Sequence, residues 1–293
     1  MIHNLVISGG GIKIISTIGI IKLLEEEKII KNINKFYGTS AGSLICLLII
    51  LGFSSSEMIK FIEKFDFNKI FYVCTDKIFD EFCVCDNSKF EKLIKLFINF
   101  KLKNSHDITM IELFNLTNKF LTITTISIKQ KKVVYLDHLT YPDLPVYKAI
   151  VMSCSIPLIF APVKWQDDLF IDGGLIDNFP LFNIPNNEIL STLGIQICLD
   201  ISKLDTHYDN IYNYTLTLIK IIMEYSIQIK SYNIISVLID SDIVSNSLDI
   251  NISSSIRLEL INQGYIQAKE KFNKLFKNSL TNTSLIKKRA NSI

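Results

Sequence analysis

The sequence predicts an α/β fold, in which a single domain has a mainly parallel central sheet flanked by helices. Short apolar segments, typical of buried strands, alternate along the 293 residues with segments whose apolar residues recur at helical spacing. The chain has no internal repeat and no linker rich in proline, glycine or serine, so one domain is expected over residues 1–276. The polar residues 277–293 are predicted to form a flexible tail.

The first third of the chain is predicted to hold two strand–loop–helix units. Residues 4–8 read as a buried strand that ends in a glycine run, and residues 14–30 follow as a helix. Residues 34–37 are predicted as the second strand, residues 38–42 as a turn, and the apolar residues 43–52 as a buried helix. Three further helices are predicted: 54–65 behind serine N-cap candidates, 87–100, and 109–118 opened by a capping-box pattern.

The rest of the chain continues the alternation of strands and helices. Residues 161–165 and 169–171 are predicted to pair as a hairpin. The other predicted elements are strands at 120–129, 132–136, 193–199 and 234–239, and helices at 146–153, 208–232 and 253–276.

The composition excludes several classes of function. The net charge is +2, from 31 basic and 29 acidic residues, and only two of the basic residues are arginine, so we expect no nucleic-acid partner. Six cysteines do not make a disulfide scaffold in a chain of this length, and Cys83-x-Cys85 lacks the second pair of ligands that structural zinc needs. We therefore expect neither a metal nor a cofactor.

No segment is predicted to span a membrane or to direct secretion. The longest apolar run, residues 44–53, is shorter than the roughly 18–20 residues that a spanning helix requires. The N-terminus lacks the basic region that precedes the apolar stretch of a cleaved signal peptide. We expect a cytoplasmic protein, and the sequence gives no indication of its oligomeric state.

Glycine is scarce in this sequence, and most of it is clustered. Average usage would give about 20 glycines in a chain of this size, whereas the sequence has 11. Glycine is needed where the backbone turns sharply or approaches another segment closely, so clusters of it indicate candidate sites. The three clusters are Gly9, Gly10 and Gly11; Gly38 and Gly42; and Gly173 and Gly174.

The first cluster, Gly9-Gly10-Gly11-Ile12-Lys13, lies between a predicted strand and a predicted helix. It lacks the last glycine of the Gly-x-Gly-x-x-Gly dinucleotide fingerprint, and it is not the Gly-x-x-x-x-Gly-Lys-Ser/Thr run of a P-loop. Exposed backbone N–H groups at a helix N-terminus, with a lysine nearby, are typical of an oxyanion hole that stabilises developing negative charge. A plain tight turn is the alternative interpretation.

The second cluster fits the Gly-x-Ser-x-Gly pattern, with Ser40 between Gly38 and Gly42. A short strand precedes it and an apolar helix follows it, which is the context of a nucleophile elbow. Small residues on both sides let the chain pass a serine held on a sharp turn. The alternative is a serine that simply caps a helix.

The third cluster is Asp172-Gly173-Gly174, directly after the predicted hairpin. A nucleophilic serine needs a base that accepts its proton. None of the four histidines lies in a motif, so Asp172 is the better candidate for this base. The alternative is an ordinary Asp-Gly turn.

Taken together, the three clusters resemble the patatin-like phospholipase family. A Gly-Gly-Gly-x-Arg/Lys loop, a Gly-x-Ser-x-Gly elbow and an Asp-Gly-Gly block follow one another in the family's order. One departure is Ile14, where the family usually has a glycine. Further matching positions are Ser153, Pro157, Phe160, Pro162 and Val163 before the Asp-Gly-Gly block, and Asn178 and Pro180 after it.

The resemblance implies a lipid acyl hydrolase with a serine–aspartate dyad. Ser40 would attack the ester carbonyl of a phospholipid or related lipid, Asp172 would take the serine proton, and the glycine loop would hold the oxyanion, without any metal. The implied partner is a membrane or micelle, contacted peripherally. Two alternatives stay open: a conventional hydrolase with a Ser40–Asp172–His207 triad, and a non-catalytic lipid-binding or scaffold protein on the same fold.

Overall fold

The computed structural model describes residues 1–69, 83–103, 107–199, 211–225, 234–239 and 252–274. Its strands are β1 (Asn4–Ile7), β2 (Lys35–Thr39), β3 (Cys83–Cys85), β4 (Phe120–Ser127), β5 (Lys132–Leu136), β6 (Leu158–Phe160), β7 (Val163–Trp165), β8 (Asp168–Asp172), β9 (Thr192–Leu199) and β10 (Ile234–Ile239). Its helices are α1 (Ser16–Glu26), α2 (Ala41–Ile50), α3 (Ser55–Lys64), α4 (Ser88–Leu102), α5 (Met110–Thr117), α6 (Val146–Cys154), α7 (Ile211–Tyr225) and α8 (Ser254–Phe272).

The strands form one large sheet and one small one. The large sheet has the order β10-β9-β1-β2-β4-β8-β7, with β5 also paired to β4. Strands β10, β9, β1, β2 and β4 run parallel, whereas β5, β7 and β8 join by antiparallel pairing. Strands β3 and β6 form a separate parallel pair. The predicted α/β fold with a mainly parallel sheet is confirmed.

The register of β4 brings the ends of two strands together. Strand β5 pairs with residues 123–127 of β4, so it occupies one edge of that segment. Strands β2 and β8 therefore share the opposite edge, where Thr39 pairs with Thr124 and Asp172 pairs with Thr125. Because β2 is parallel to β4 and β8 is antiparallel, their C-terminal ends meet head to head.

Several predicted boundaries are wrong. Strand β2 continues to Thr39, because Gly38 serves close packing inside the strand: a Cβ placed on it would lie 2.6 Å from the Cα of Ser43. The predicted helix 14–30 is shorter, since a 3-10 turn at Gly11–Ile15 precedes α1. Strands β3 and β6 were not predicted. The ends of the predicted helices 208–232 and 253–276, and the predicted tail, lie outside the described residues.

Helices α1 and α8 cross at two glycines. A Cβ placed on Gly19 would lie 1.9 Å from the carbonyl oxygen of Ile261, and one placed on Gly264 would lie 1.9 Å from the carbonyl oxygen of Ser16. Neither helix therefore tolerates a side chain at the crossing, and the two backbones are in direct contact. This contact fixes the first turn of α1, which follows the glycine loop.

We expect Gly264→Ala to lower the free energy of unfolding by about 1–3 kcal/mol or more, because the added methyl group meets backbone that cannot move aside easily. Urea denaturation measures the loss. Glu259→Ala, on the exposed side of the same helix, is the control and should change stability by less than about 0.5 kcal/mol. Equal stability of the two variants would contradict the close crossing.

Candidate active site

Ser40 occupies a strained turn between β2 and α2. Its backbone has φ 53° and ψ −133°, a positive φ that residues other than glycine rarely adopt. The turn is possible because glycines stand two positions before and two positions after the serine: a Cβ on Gly42 would lie 2.4 Å from the carbonyl oxygen of Ser8. The serine thus has the geometry of a nucleophile elbow, with its side chain at the N-terminus of a helix.

Two other serines hold the backbone of Ser40 in this conformation. The N–H of Ser40 donates to the Ser153 hydroxyl at 2.8 Å, and that hydroxyl donates to the carbonyl oxygen of Thr124 at 2.6 Å. The hydroxyl of Ser43 donates to the carbonyl oxygen of Ser40 at 2.6 Å. Ser153 therefore ties the elbow directly to β4, a role that the sequence pattern did not reveal.

Asp172 is the hydrogen-bond partner of the Ser40 hydroxyl. The hydroxyl donates to Oδ2 of Asp172 at 2.6 Å, and the backbone N–H of Gly174 donates to Oδ1 at 2.7 Å. Asp172 is fully buried, and this desolvation raises its pKa to about 7 although both hydrogen bonds favour the charged form. The carboxylate is therefore a stronger base than an ordinary aspartate.

The loop after Asp172 packs closely against the sheet. A Cβ on Gly173 would lie 2.5 Å from the carbonyl oxygen of Thr124, so only glycine fits there. Asp177 accepts a hydrogen bond from the Tyr135 hydroxyl at 2.6 Å, and its carbonyl oxygen accepts one from the Thr39 hydroxyl at 3.0 Å. Burial raises the pKa of Asp177, against the opposing effect of the Tyr135 hydrogen bond. These contacts hold the loop beside the end of β2.

The first glycine cluster lies against the same loop. The N–H of Gly9 donates to the carbonyl oxygen of Asn178 at 3.1 Å, so it is already engaged. A Cβ on Gly9 would lie 3.2 Å from the Cβ of Ser40, which places this part of the loop next to the serine. Gly11 has a positive φ of 51°, and Lys13 is buried in the 3-10 turn that follows.

A buried thiol completes the surroundings of the dyad. Burial raises the pKa of Cys154 well above its usual value, and the neighbouring charge of Asp172 adds to the effect, whereas hydrogen bonding with Ser40 and Ser43 opposes it. The structure places Cys154 in contact range of the serine and the aspartate, as a neutral thiol.

The described histidines lie away from this site. His138 follows β5, which pairs Leu136 with Ile123, so it lies toward the start of β4 and stacks on Phe114 at 4.0 Å between ring centroids. His3 is exposed ahead of β1. His207, the third member of the alternative triad, lies outside the described residues, as does His106.

The described part of the chain holds neither a cluster of metal ligands nor a helix that could span a membrane. Cys83 and Cys85 are buried and form no disulfide bond, and nowhere among the described residues do three or more histidine, cysteine, aspartate or glutamate side chains group as a metal site would require. Across those same ranges, no helix is both long enough and apolar enough to cross a membrane.

Comparison with known proteins identifies related sequences and folds. Residues 5–183 match the family described as Patatin-like phospholipase. The probable lipid hydrolase 463L of Invertebrate iridescent virus 6 is 31% identical over 61% of this chain and 61% of its own length. The triacylglycerol lipase ptl3 of Schizosaccharomyces pombe is 23% identical over 66% of this chain and 45% of its own. The chain thus spans less than two thirds of these relatives.

A solved structure shows the same fold at low sequence identity. The structure of VipD from Legionella pneumophila superposes with a TM-score of 0.68 at 15% identity, covering 93% of this chain and 67% of that one. The shared fold therefore also includes residues outside the range 5–183 that matches the family.

We expect Ser153→Ala to slow the labelling of Ser40 by a fluorophosphonate probe about 10- to 100-fold. The N–H of Ser40 would lose its buried acceptor, at a cost of about 1–3 kcal/mol, and the elbow would lose its tie to β4. The second-order rate constant of labelling is the measurement. Ser191→Ala removes a hydroxyl that also donates to a backbone carbonyl and should label at the original rate; equal rates for both variants would contradict the role of Ser153.

Proposed function

The chain belongs to the patatin-like phospholipase family, and from this premise we propose that it hydrolyses fatty acyl esters of phospholipids or related lipids through an acyl intermediate on Ser40. The observation that carries the proposal is the 2.6 Å hydrogen bond from the Ser40 hydroxyl to the buried carboxylate of Asp172. A hydroxyl and a base at this distance form the pair that nucleophilic catalysis requires.

In the first half-reaction, Ser40 is acylated. Oγ of Ser40 attacks the ester carbonyl carbon while its proton passes to Oδ2 of Asp172. The negative charge that develops on the carbonyl oxygen is held by the backbone N–H groups of Gly10 and Gly11, since that of Gly9 is bonded to Asn178. The tetrahedral intermediate then expels the alcohol, which takes the proton from Asp172.

In the second half-reaction, water releases the fatty acid. Asp172 accepts a proton from the water as its oxygen attacks the acyl carbon, and the same N–H groups hold the oxyanion. When the intermediate collapses, Oγ of Ser40 leaves and recovers its proton from Asp172. The N-terminus of α2 faces the serine throughout, and its positive end favours negative charge on Oγ.

The fitness of Asp172 as a base follows from its surroundings. A carboxylate with an ordinary pKa of about 3.9 accepts a proton poorly at neutral pH. Burial raises the pKa of Asp172 to about 7, which brings it close to the operating pH expected of a general base. The dyad therefore needs no histidine to supply basicity.

We propose that the lipid is met at the surface of a membrane or micelle, through peripheral contact by a cytoplasmic protein. The support is the lipid substrate implied by the family, together with names of relatives such as a triacylglycerol lipase and a probable lipid hydrolase.

We expect Ser40→Ala to abolish hydrolysis of a nitrophenyl acyl ester, and Asp172→Asn to lower kcat/KM about 10²- to 10⁴-fold, because the amide keeps the shape but cannot accept the proton. Both variants should remain folded, which thermal denaturation checks. Asp167→Asn, at an exposed aspartate in the β7–β8 turn, is the matched control and should keep its activity within about twofold. A folded Asp172→Asn variant that keeps most of its activity would contradict the assignment of Asp172 as the base.

The activity should also depend on the protonation of Asp172. Only the unprotonated carboxylate can accept the serine proton, so kcat/KM is expected to rise with pH to a plateau and to be half-maximal near pH 7. A pH profile measured with a neutral ester substrate tests this. A half-maximal point near pH 4 would mean that the base is not a desolvated carboxylate.

A further inference from the structure

The side chain of Asn178 is a buried polar group that the mechanism has not used. It is only 3% exposed, and its Oδ1 has no hydrogen-bond partner among the residues that the structure describes. Leaving a buried acceptor unsatisfied costs about 1–3 kcal/mol, so a native protein seldom keeps one without a reason. Asn178 Oδ1 can therefore accept a hydrogen bond from a molecule that enters the site during the reaction.

Asn178 Oδ1 lies beside Ser40. The position of a Cβ on Gly9 is 2.2 Å from this oxygen and 3.2 Å from the Cβ of Ser40. Asn178 Oδ1 and the Cβ of Ser40 are therefore separated by no more than the sum of these two distances. A water molecule hydrogen-bonded to Oδ1 at about 2.8 Å therefore lies close to the Ser40 side chain.

The same oxygen lies beside Asp172. The position of a Cβ on Gly174 is 2.8 Å from Asn178 Oδ1 and 3.0 Å from Oδ1 of Asp172. The Cε methyl group of Met223 is 2.8 Å from the same position, so all three groups border Gly174. The amide oxygen and Oδ1 of Asp172 are separated by no more than the sum of their two distances, which one water molecule with hydrogen bonds of about 2.8 Å can bridge.

We propose that Asn178 binds and orients the water that hydrolyses acyl-Ser40, an inference that rests on the proposed function. An acyl ester brings only acceptor oxygens to the reacting centre, so it cannot satisfy Oδ1 of Asn178. Water brings two donors, one for Asn178 and one for the carboxylate of Asp172. With both hydrogens so directed, a lone pair of the water oxygen is free to face the acyl carbon.

The step balances with the groups present. The water oxygen forms a bond to the acyl carbon, and the hydrogen that faces Asp172 passes to its carboxylate. The hydrogen that faces Asn178 stays on the new carboxylic acid, so the amide is not itself a base. The bond between the acyl carbon and Oγ of Ser40 then breaks, and Oγ takes the proton from Asp172. In this step Asn178 acts only by holding the water.

Substitution of this side chain can be separated from the fold of the loop. The contact between the Asp172 loop and the glycine loop runs through the Asn178 backbone, whose carbonyl oxygen accepts from the N–H of Gly9. Any side chain leaves this bond available. Asn178→Leu keeps the branching at Cγ without an acceptor, and Asn178→Asp keeps an acceptor oxygen at the same place.

Pre-steady-state hydrolysis of a nitrophenyl acyl ester tests the proposal, because the burst reports acylation and the steady state reports deacylation. The assay is run well above pH 7, where Asp172 is unprotonated. For Asn178→Leu we expect a burst of one nitrophenolate per enzyme at nearly the original rate, a steady-state rate about 10- to 100-fold lower, and acyl-Ser40 that accumulates in the intact mass spectrum. Asn178→Asp should recover most of the steady-state rate.

The matched control is Asn183→Leu, at a half-buried asparagine of the same connection between β8 and β9, and both phases should stay unchanged. If burst and steady-state rates of folded Asn178→Leu fell by the same factor, the side chain would serve the structure of the site and the proposal would be wrong. If Asn178→Leu did not fold, Asn178→Asp without recovered turnover would overturn it equally. A wild-type chain that forms no acyl-Ser40 would remove both this proposal and the proposed function.

Discussion

Both members of the candidate dyad take their positions from adjacent residues of β4. Thr39 pairs with Thr124 and Asp172 with Thr125, on the same edge of one strand. In a purely parallel sheet, the C-terminal ends of the strands lie side by side. Here β8 is antiparallel to β4, so the C-terminal ends of β2 and β8 face each other. The separation of the serine and the aspartate is thereby set by the distance between two adjacent residues of a buried strand. The hydroxyl of Ser153 links the backbone of the elbow to that same strand by two hydrogen bonds.

Burial of the site determines the pKa values of its ionisable groups. The burial that holds Asp172 at a pKa of about 7 also keeps Cys154 as a neutral thiol. A strained backbone at Ser40 and a desolvated carboxylate are both costly, and each is maintained by contacts that tolerate little variation. The large apolar core around the sheet provides the stability that such a site requires.

Sequence reasoning selects Ser40 and Asp172 as candidates because glycines mark close approaches in any surrounding fold, and their part in a reaction stays a prediction. Ser40 and Asp172, 132 residues apart, are indeed joined by a hydrogen bond. The supporting groups were less accessible to sequence reasoning. Ser153 and Asn178 stand out in the sequence only as positions that match the family, because their contacts arise from the packing of α6 and of the β8–β9 connection, which no local pattern encodes. Gly38 was read as a turn because glycine is common in turns, although it lies within β2 to make room for Ser43.

The glycine loop follows β1 directly. Of the two strands that pair with β1, one is close to it in the sequence and the other is far away. Strand β2 follows β1 closely, but β9 begins only at Thr192, beyond the residues 5–183 that match the family. Strand β9 also shapes the loop itself: the N–H of Ile197 donates to the Ser8 hydroxyl, and a Cβ on Gly10 would lie 3.3 Å from Ile197 Cβ. The position of the glycine loop beside Ser40 therefore depends on a strand that lies beyond the residues that match the family.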